Sequence, residues 1–159
     1  MKLNRAEDLA IELLYKHGLG YYNLKFDNAT RRFGQCNAFT KTINLSKPLT
    51  LVNSEEVVKD TILHEIAHAL DYKIHGNIGH GITWKSLCLE VGCRPNALCG
   101  TEDGVVFPKA KYLKTCPNCG PRGPAHRRRK NTACGACCNK LNGGKYSKEY
   151  LIQYNLNAI

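Results

Sequence analysis

The sequence predicts an α+β fold in two parts, a helix-and-strand domain over residues 1–107 and a small β-rich, cysteine-stapled module over residues 108–159. Three observations predict it. Segments with apolar residues at helical spacing alternate with short strand-like runs through the first part. Two CxxC pairs stand close together near the C-terminus. The charge is divided: 12 Lys+Arg face 12 Asp+Glu up to Phe107, whereas 11 face only Glu149 from Pro108 onward, so the whole net charge of +10 lies in the second part.

Each element has its own signal. Leu9, Ala10, Leu13 and Leu14 mark one face of a helix over Ala6 to Lys16, which Gly18 and Gly20 end. Tyr21 to Phe26 reads as a strand, followed by the turn Asp27-Asn28-Ala29-Thr30. Arg32 to Ala38 and Thr42 to Leu45 read as two more strands around a turn at Thr40-Lys41. Asn53 or Ser54 caps the next helix, and Glu55 and Glu56 lie in its first turn, where the helix dipole favours negative charge. That helix runs through Val57, Val58, Ile62, Ile66 and Leu70 to about His75, and Gly76 stops it. After a Gly-rich stretch (Gly76, Gly79, Gly81), Thr83 to Val91 forms a helix with Trp84, Leu87, Cys88 and Val91 inward. Residues 94–108 carry little pattern and hold the boundary between the two parts.

The composition narrows the possibilities. With 43% hydrophobic residues the chain can build a packed core. No run approaches the roughly 18 apolar residues of a membrane helix, and Met1 to Arg5 leads into an amphipathic segment rather than a signal-peptide core. The expectation is a monomeric, intracellular protein without membrane contact, cytoplasmic and nucleoid-associated, or in host cytoplasm for a viral chain. In that reducing setting paired cysteines read as metal ligands, not disulfides.

His64-Glu65-Ile66-Ala67-His68 is an HExxH pattern in the middle of the well-capped helix. Residues i and i+4 share a helical face, so both imidazoles can reach one ion, and Glu65 beside them can take a proton from a water held there. Zinc suits such a site, because it accepts nitrogen ligands and lowers the pKa of bound water. Two exposed histidines on a core helix are the bland alternative, which the helical context disfavours. A third donor is needed, and His75, His80, Asp71 and Glu90 are candidates. His75 lies two turns past His68, about 10 Å along the axis. The longer metzincin pattern is absent, since Asp71 and Ile74 occupy its positions. Spacing alone gives His80, between Gly79 and Gly81, only a modest preference. Asp60 and Asp71 fit a solvated helix face better than a role in orienting a ligand. Tyr72 and Tyr112 are no more than guesses as oxyanion donors.

The stretches Phe33-Gly34-Gln35-Cys36, Thr42-Ile43-Asn44-Leu45-Ser46, Asp60-Thr61-Ile62-Leu63-His64-Glu65-Ile66-Ala67-His68-Ala69 and Gly79-His80-Gly81-Ile82-Thr83-Trp84-Lys85 resemble the SprT family, which includes the Spartan-type DNA-dependent proteases. Only Ile82-Thr83, where many members have proline and a polar residue, departs, and it touches no ligand. The resemblance implies a zincin-like metallopeptidase core: N-terminal helix, short antiparallel sheet, HExxH helix and following helix. It implies His64, His68 and His80 as ligands of a catalytic zinc and Glu65 as catalytic base. It also implies a protein or peptide substrate.

Cys116-Pro117-Asn118-Cys119 and Cys134-Gly135-Ala136-Cys137 are spaced as a zinc ribbon, in which four thiolates close a structural site. Cys138 could replace Cys137, although the CxxC spacing favours Cys137. Cys36, Cys88, Cys93 and Cys99 lack such spacing and read as small buried residues. Between the knuckles runs His126-Arg127-Arg128-Arg129-Lys130, with Lys111 and Lys114 leading in and tyrosines interleaved. A basic run is usually a solvated loop. Here it carries the charge excess of a metal-stapled module, and Lys111, Lys114, Arg127, Arg128, Arg129 and Lys130 are expected to contact nucleic acid, which the resemblance to Spartan-type members implies is DNA, single-stranded or damaged. The resulting expectation is a zinc endopeptidase for proteins bound or crosslinked to DNA. A nucleic-acid-binding zinc protein with little turnover, and a peptidase unrelated to nucleic acid, are the alternatives.

Overall fold

A computed structural model of the chain describes residues 1–97 and 101–157, which divide into two compact units, Met1–Pro108 and Lys109–Ile159. The reading of Cys99 lies outside the described residues.

The first unit begins with α1 (Leu3–Lys16), whose Ala6, Leu9, Ala10, Leu13 and Leu14 are buried as their spacing requires. Three strands follow: β1 (Asn23–Asp27), β2 (Gly34–Asn37) and β3 (Thr42–Ser46). They form one sheet in the order β1-β3-β2. The sheet is mixed, not the antiparallel one expected: β2 runs antiparallel to β3, but β1 pairs parallel, with Asn23 opposite Thr42 and Asp27 opposite Ser46. The cause lies in β3. Its Ile43 and Leu45 are fully buried, with Thr42 and Ser46 buried beside them, whereas β1 and β2 are half-exposed. The strand with most to bury takes the centre, so the turn after β1 cannot close a hairpin with β2. Asp27 instead accepts the Ala29 N–H at 2.9 Å and pairs with Arg32.

Ser46 ends β3 and caps a short helix that the sequence reading did not find, α2 (Lys47–Val52). Its Oγ accepts the Leu49 N–H at 3.1 Å, and Pro48 fits the first turn. Helix α3 (Glu55–His75) is capped by Ser54, not Asn53, and stops at Gly76 in the left-handed region. Asn53 has another task. Its side chain donates to the Leu49 and Val106 carbonyls and accepts the Val106 N–H, at 2.7–2.8 Å, fastening the unpatterned segment beyond the helices. Helix α3 packs against α1, β2 and α4 (Ile82–Val91). It is therefore buried on several sides, including at Glu65 and Asp71. In α4, Trp84, Leu87 and Cys88 are buried and Val91 packs on the core. Arg94 binds back to Asp60 at 2.9 Å and to Asp103 at 2.8 Å, so Asp60 is an ion-pair anchor and not a solvated residue.

The second unit holds β4 (Tyr112–Cys116), β5 (Gly120–Ala125) and β6 (Gln153–Leu156) in the antiparallel order β5-β4-β6, with helix α5 (Gly135–Leu141) set into the ribbon. Its buried cluster is Cys116, Cys134 and Cys137, with Tyr150 and Ile152 packed on it. A module whose centre is made of thiols has almost no apolar core, which is the situation in which a structural metal supplies the folding energy. Among the described residues no helix is long and apolar enough to cross a membrane.

Candidate metal centre

Helix α3 presents His64 and His68 on one face, with ring centroids 5.0 Å apart. Beyond Gly76 the chain must reverse to reach α4. It does so through Gly79 at φ +127°, a conformation side chains rarely adopt, while Asn77 donates to Thr83 Oγ1 at 3.1 Å across the base of the turn. The reversal delivers His80. Its Nε2 lies 3.1 Å from that of His68 and 3.4 Å from that of His64. Three ring nitrogens facing one another at these distances cannot all be satisfied by each other's hydrogens. Tetrahedral zinc with bonds of about 2.0–2.1 Å places its nitrogen ligands about 3.3–3.4 Å apart, so the donor set fits that ion.

The other third-ligand candidates are engaged or distant. His75 pairs with Asp71 at 2.8 Å, and Asp71 is buried, contrary to its reading as solvated. Glu90 is exposed on the far helix. Burial pulls His64 and His68 down to about 4, with the neighbouring imidazoles adding to the effect. Both rings are therefore neutral at pH 7 and keep a lone pair for a metal.

Glu65 is 6% exposed. Burial pushes its carboxyl up to about 7, against the opposing pull of the Cys36 backbone N–H and the Arg32 guanidinium. The space it occupies exists because Gly34 on β2 has no side chain: a Cβ there would stand 2.5 Å from Glu65 Oε1. Sequence reasoning missed this pairing of a strand glycine with a helix carboxylate. The only signal for it in the sequence was that Gly34 interrupts a strand pattern, which often marks a close approach. The three histidines and Glu65 open onto a cleft of about 510 Å³ that β2, Phe39 and Ile78 also line. Tyr72 meets the ring of Phe39 at 5.3 Å. Cys36 also lines the cleft and is half-buried, while Cys88 and Cys93 are buried as expected.

In the second unit Cys116, Cys119, Cys134 and Cys137 bring their sulfurs together. The Cys116–Cys137 and Cys119–Cys134 separations are 3.7 and 3.6 Å, close to the about 3.8 Å between thiolates around tetrahedral zinc. Cys138 is buried but stands outside the cluster. Of the basic residues, Arg128 lies 5.4 Å and Lys111 5.6 Å from the Tyr112 ring centre, and Tyr154 meets that ring edge-on at 6.4 Å. Lys114 sits on β4 opposite Tyr154. Arg127, Arg129 and Lys130 are exposed in the segment after β5.

A model of the SprT-like family matches residues 10–103, a span that includes His64, Glu65, His68 and His80 and stops short of the cysteine module. Protein SprT of Pasteurella multocida (strain Pm70) is 26% identical over 122 residues, covering 72% of this chain and 74% of that protein. Among solved structures, the metallopeptidase zymogen of Methanocaldococcus jannaschii jannalysin aligns with a TM-score of 0.44 at 25% identity, covering 54% of this chain and 88% of that one.

Proposed function

Because the chain belongs to the SprT-like family, we propose that it is a zinc-dependent endopeptidase acting on proteins bound or crosslinked to DNA. The observation that carries the reading is the buried Glu65 carboxylate set beside three converging imidazoles, with the Nε2 spacing that zinc requires.

His64, His68 and His80 hold the catalytic ion. Zinc bound there would supply Lewis acidity, activating water for attack and polarising a carbonyl. Glu65 accepts the water's proton and delivers it to the leaving amine. Its raised proton affinity suits both halves of that task. Strand β2 lies at the sheet edge and lines the cleft, so an extended substrate can add to it through main-chain hydrogen bonds. The four-cysteine cluster holds a second, structural zinc and keeps the basic module folded. Lys111, Arg128 and Tyr112, gathered at one place, and the exposed Arg127, Arg129 and Lys130, contact the phosphates and unpaired bases of DNA.

The test is cleavage of a DNA-binding protein by the wild-type chain and by Glu65→Gln, with and without single-stranded DNA. The proposal expects cleavage by the wild type alone, stimulated by DNA. Equal cleavage by both, or none by either, ends the catalytic reading. Cleavage indifferent to DNA leaves a peptidase whose substrate has no connection with nucleic acid.

A further inference from the structure

Metal-bound histidines are usually aimed by a hydrogen bond from the ring nitrogen that does not face the ion. Among the described residues, the hydrogen bonds of His64, His68 and His80 run only through Nε2, and no protein group holds the far nitrogen of any of the three. Something else must fix three rings that come from two different segments. Trp84 is placed to do so. It is fully buried in α4, and its ring touches all three imidazoles: His68 stacked at 5.1 Å with planes 24° apart, His64 edge-on at 4.8 Å, and His80 perpendicular at 4.5 Å. Each is a geometry that aromatic rings prefer.

The indole carries a penalty where it stands. Its Nε1 is buried with no hydrogen-bond partner among the described residues, a cost that a phenylalanine would avoid. A side chain chosen for core packing alone would not need that donor. The double ring does offer a surface broad enough for three imidazoles at once, which a phenyl ring lacks.

From these contacts we infer that Trp84 is a positioning residue: an aromatic floor that holds His64, His68 and His80 in the arrangement a metal needs. This rests on the reading of the three histidines as a metal site, and it makes no claim on the reaction. Removing the floor should loosen the metal without unfolding the unit, and replacing indole by phenyl should separate the two effects.

The experiment uses the full chain with its ribbon metal in place. It measures zinc affinity at the histidines by competition with a chromogenic chelator, the visible spectrum of cobalt(II) at the same site, and the thermal midpoint with the histidines metal-free. Trp84→Phe is expected to weaken zinc binding about 10-fold, the lower end for loss of a residue supporting the ligands, and to alter the cobalt spectrum. Its metal-free midpoint should change little, because removal of the unpaired donor offsets the packing lost with the smaller ring. Trp84→Leu should weaken zinc further. The inference is overturned if Trp84→Phe binds zinc as the wild type does with an unchanged cobalt spectrum, or if its affinity falls only in step with a fall in metal-free stability. A wild-type chain that takes up no metal at the histidines overturns the proposed function as well. Normal zinc affinity in a wild-type chain without peptidase activity overturns that proposal alone.

Discussion

Replacing Gly34 by alanine is a small change with a large expected consequence. The backbone at Gly34 does not need glycine for its torsions; what the position lacks is room. The new Cβ would stand 2.5 Å from Glu65 Oε1, 2.8 Å from Cγ and 2.9 Å from Cδ, where non-bonded carbons settle at about 3.5–4.0 Å. The carboxylate therefore has to retreat by roughly 1 Å, and a displacement of that size at a reacting group costs on the order of 100-fold in rate. The fold suffers less, because the obstructed group is a side chain that can swing. About 1 kcal/mol is expected, the low end of the cost of overpacking. The histidines are not touched, so zinc should stay. The assay compares kcat/KM for a DNA-bound protein substrate with zinc per chain, for wild type, Gly34→Ala, Glu65→Gln and the double variant. If Gly34 acts by making room for Glu65, the double variant is no slower than Glu65→Gln alone. Wild-type turnover in Gly34→Ala would refute this reasoning, and so would a Gly34→Ala chain that loses its zinc.

Other predictions follow from the same geometry. His64 and His68 are held at about 4, below the 6.5 of an unfolded chain. Their contribution to metal-free stability is therefore complete above pH 6.5 and lost as pH falls from there toward 4. Thermal midpoints should show this fall in the wild type and lack much of it in a His64→Ala/His68→Ala variant. Cys137→Ser should cost the chain one zinc by mass and unfold residues 109–157, as read by limited proteolysis, whereas Cys138→Ser should keep both. Replacing Arg127, Arg128, Arg129 and Lys130 together by alanine should flatten the salt dependence of single-stranded DNA binding by up to about 3 in log–log slope, at about 0.7 for each phosphate no longer neutralised.

Much of this was written locally in the chain. Helix α3 could be read nearly end to end because Ser54, Glu55, Glu56 and Gly76 mark its limits, and the i, i+4 spacing of His64 and His68 puts both rings on one face of any helix. The ribbon cysteines were legible for the same reason, since a CxxC knuckle is a local object. What could not be read depended on partners distant in sequence. The centre of the sheet went to β3 because it had most to bury, so β1 came to lie parallel to it. Asn53 looked like a helix cap and instead bonds Val106, 53 residues away. Asp60 and Asp71 were placed on a solvated face because nothing nearby showed that Arg94 and His75 would meet them. The pairing of Gly34 with Glu65, and the contact of Trp84 with three histidines, join segments that only the tertiary fold brings together.

In the proposed reaction, zinc held by His64, His68 and His80 works through Glu65. Cleavage rate measured against zinc bound per chain tests it most directly, starting from protein that holds only its ribbon metal. No cleavage is expected until the second zinc binds, with full activity at two per chain and a Glu65→Gln variant that binds the second zinc equally well yet stays inactive. Cleavage before the second zinc is bound, or cleavage by Glu65→Gln at the wild-type rate, would contradict it.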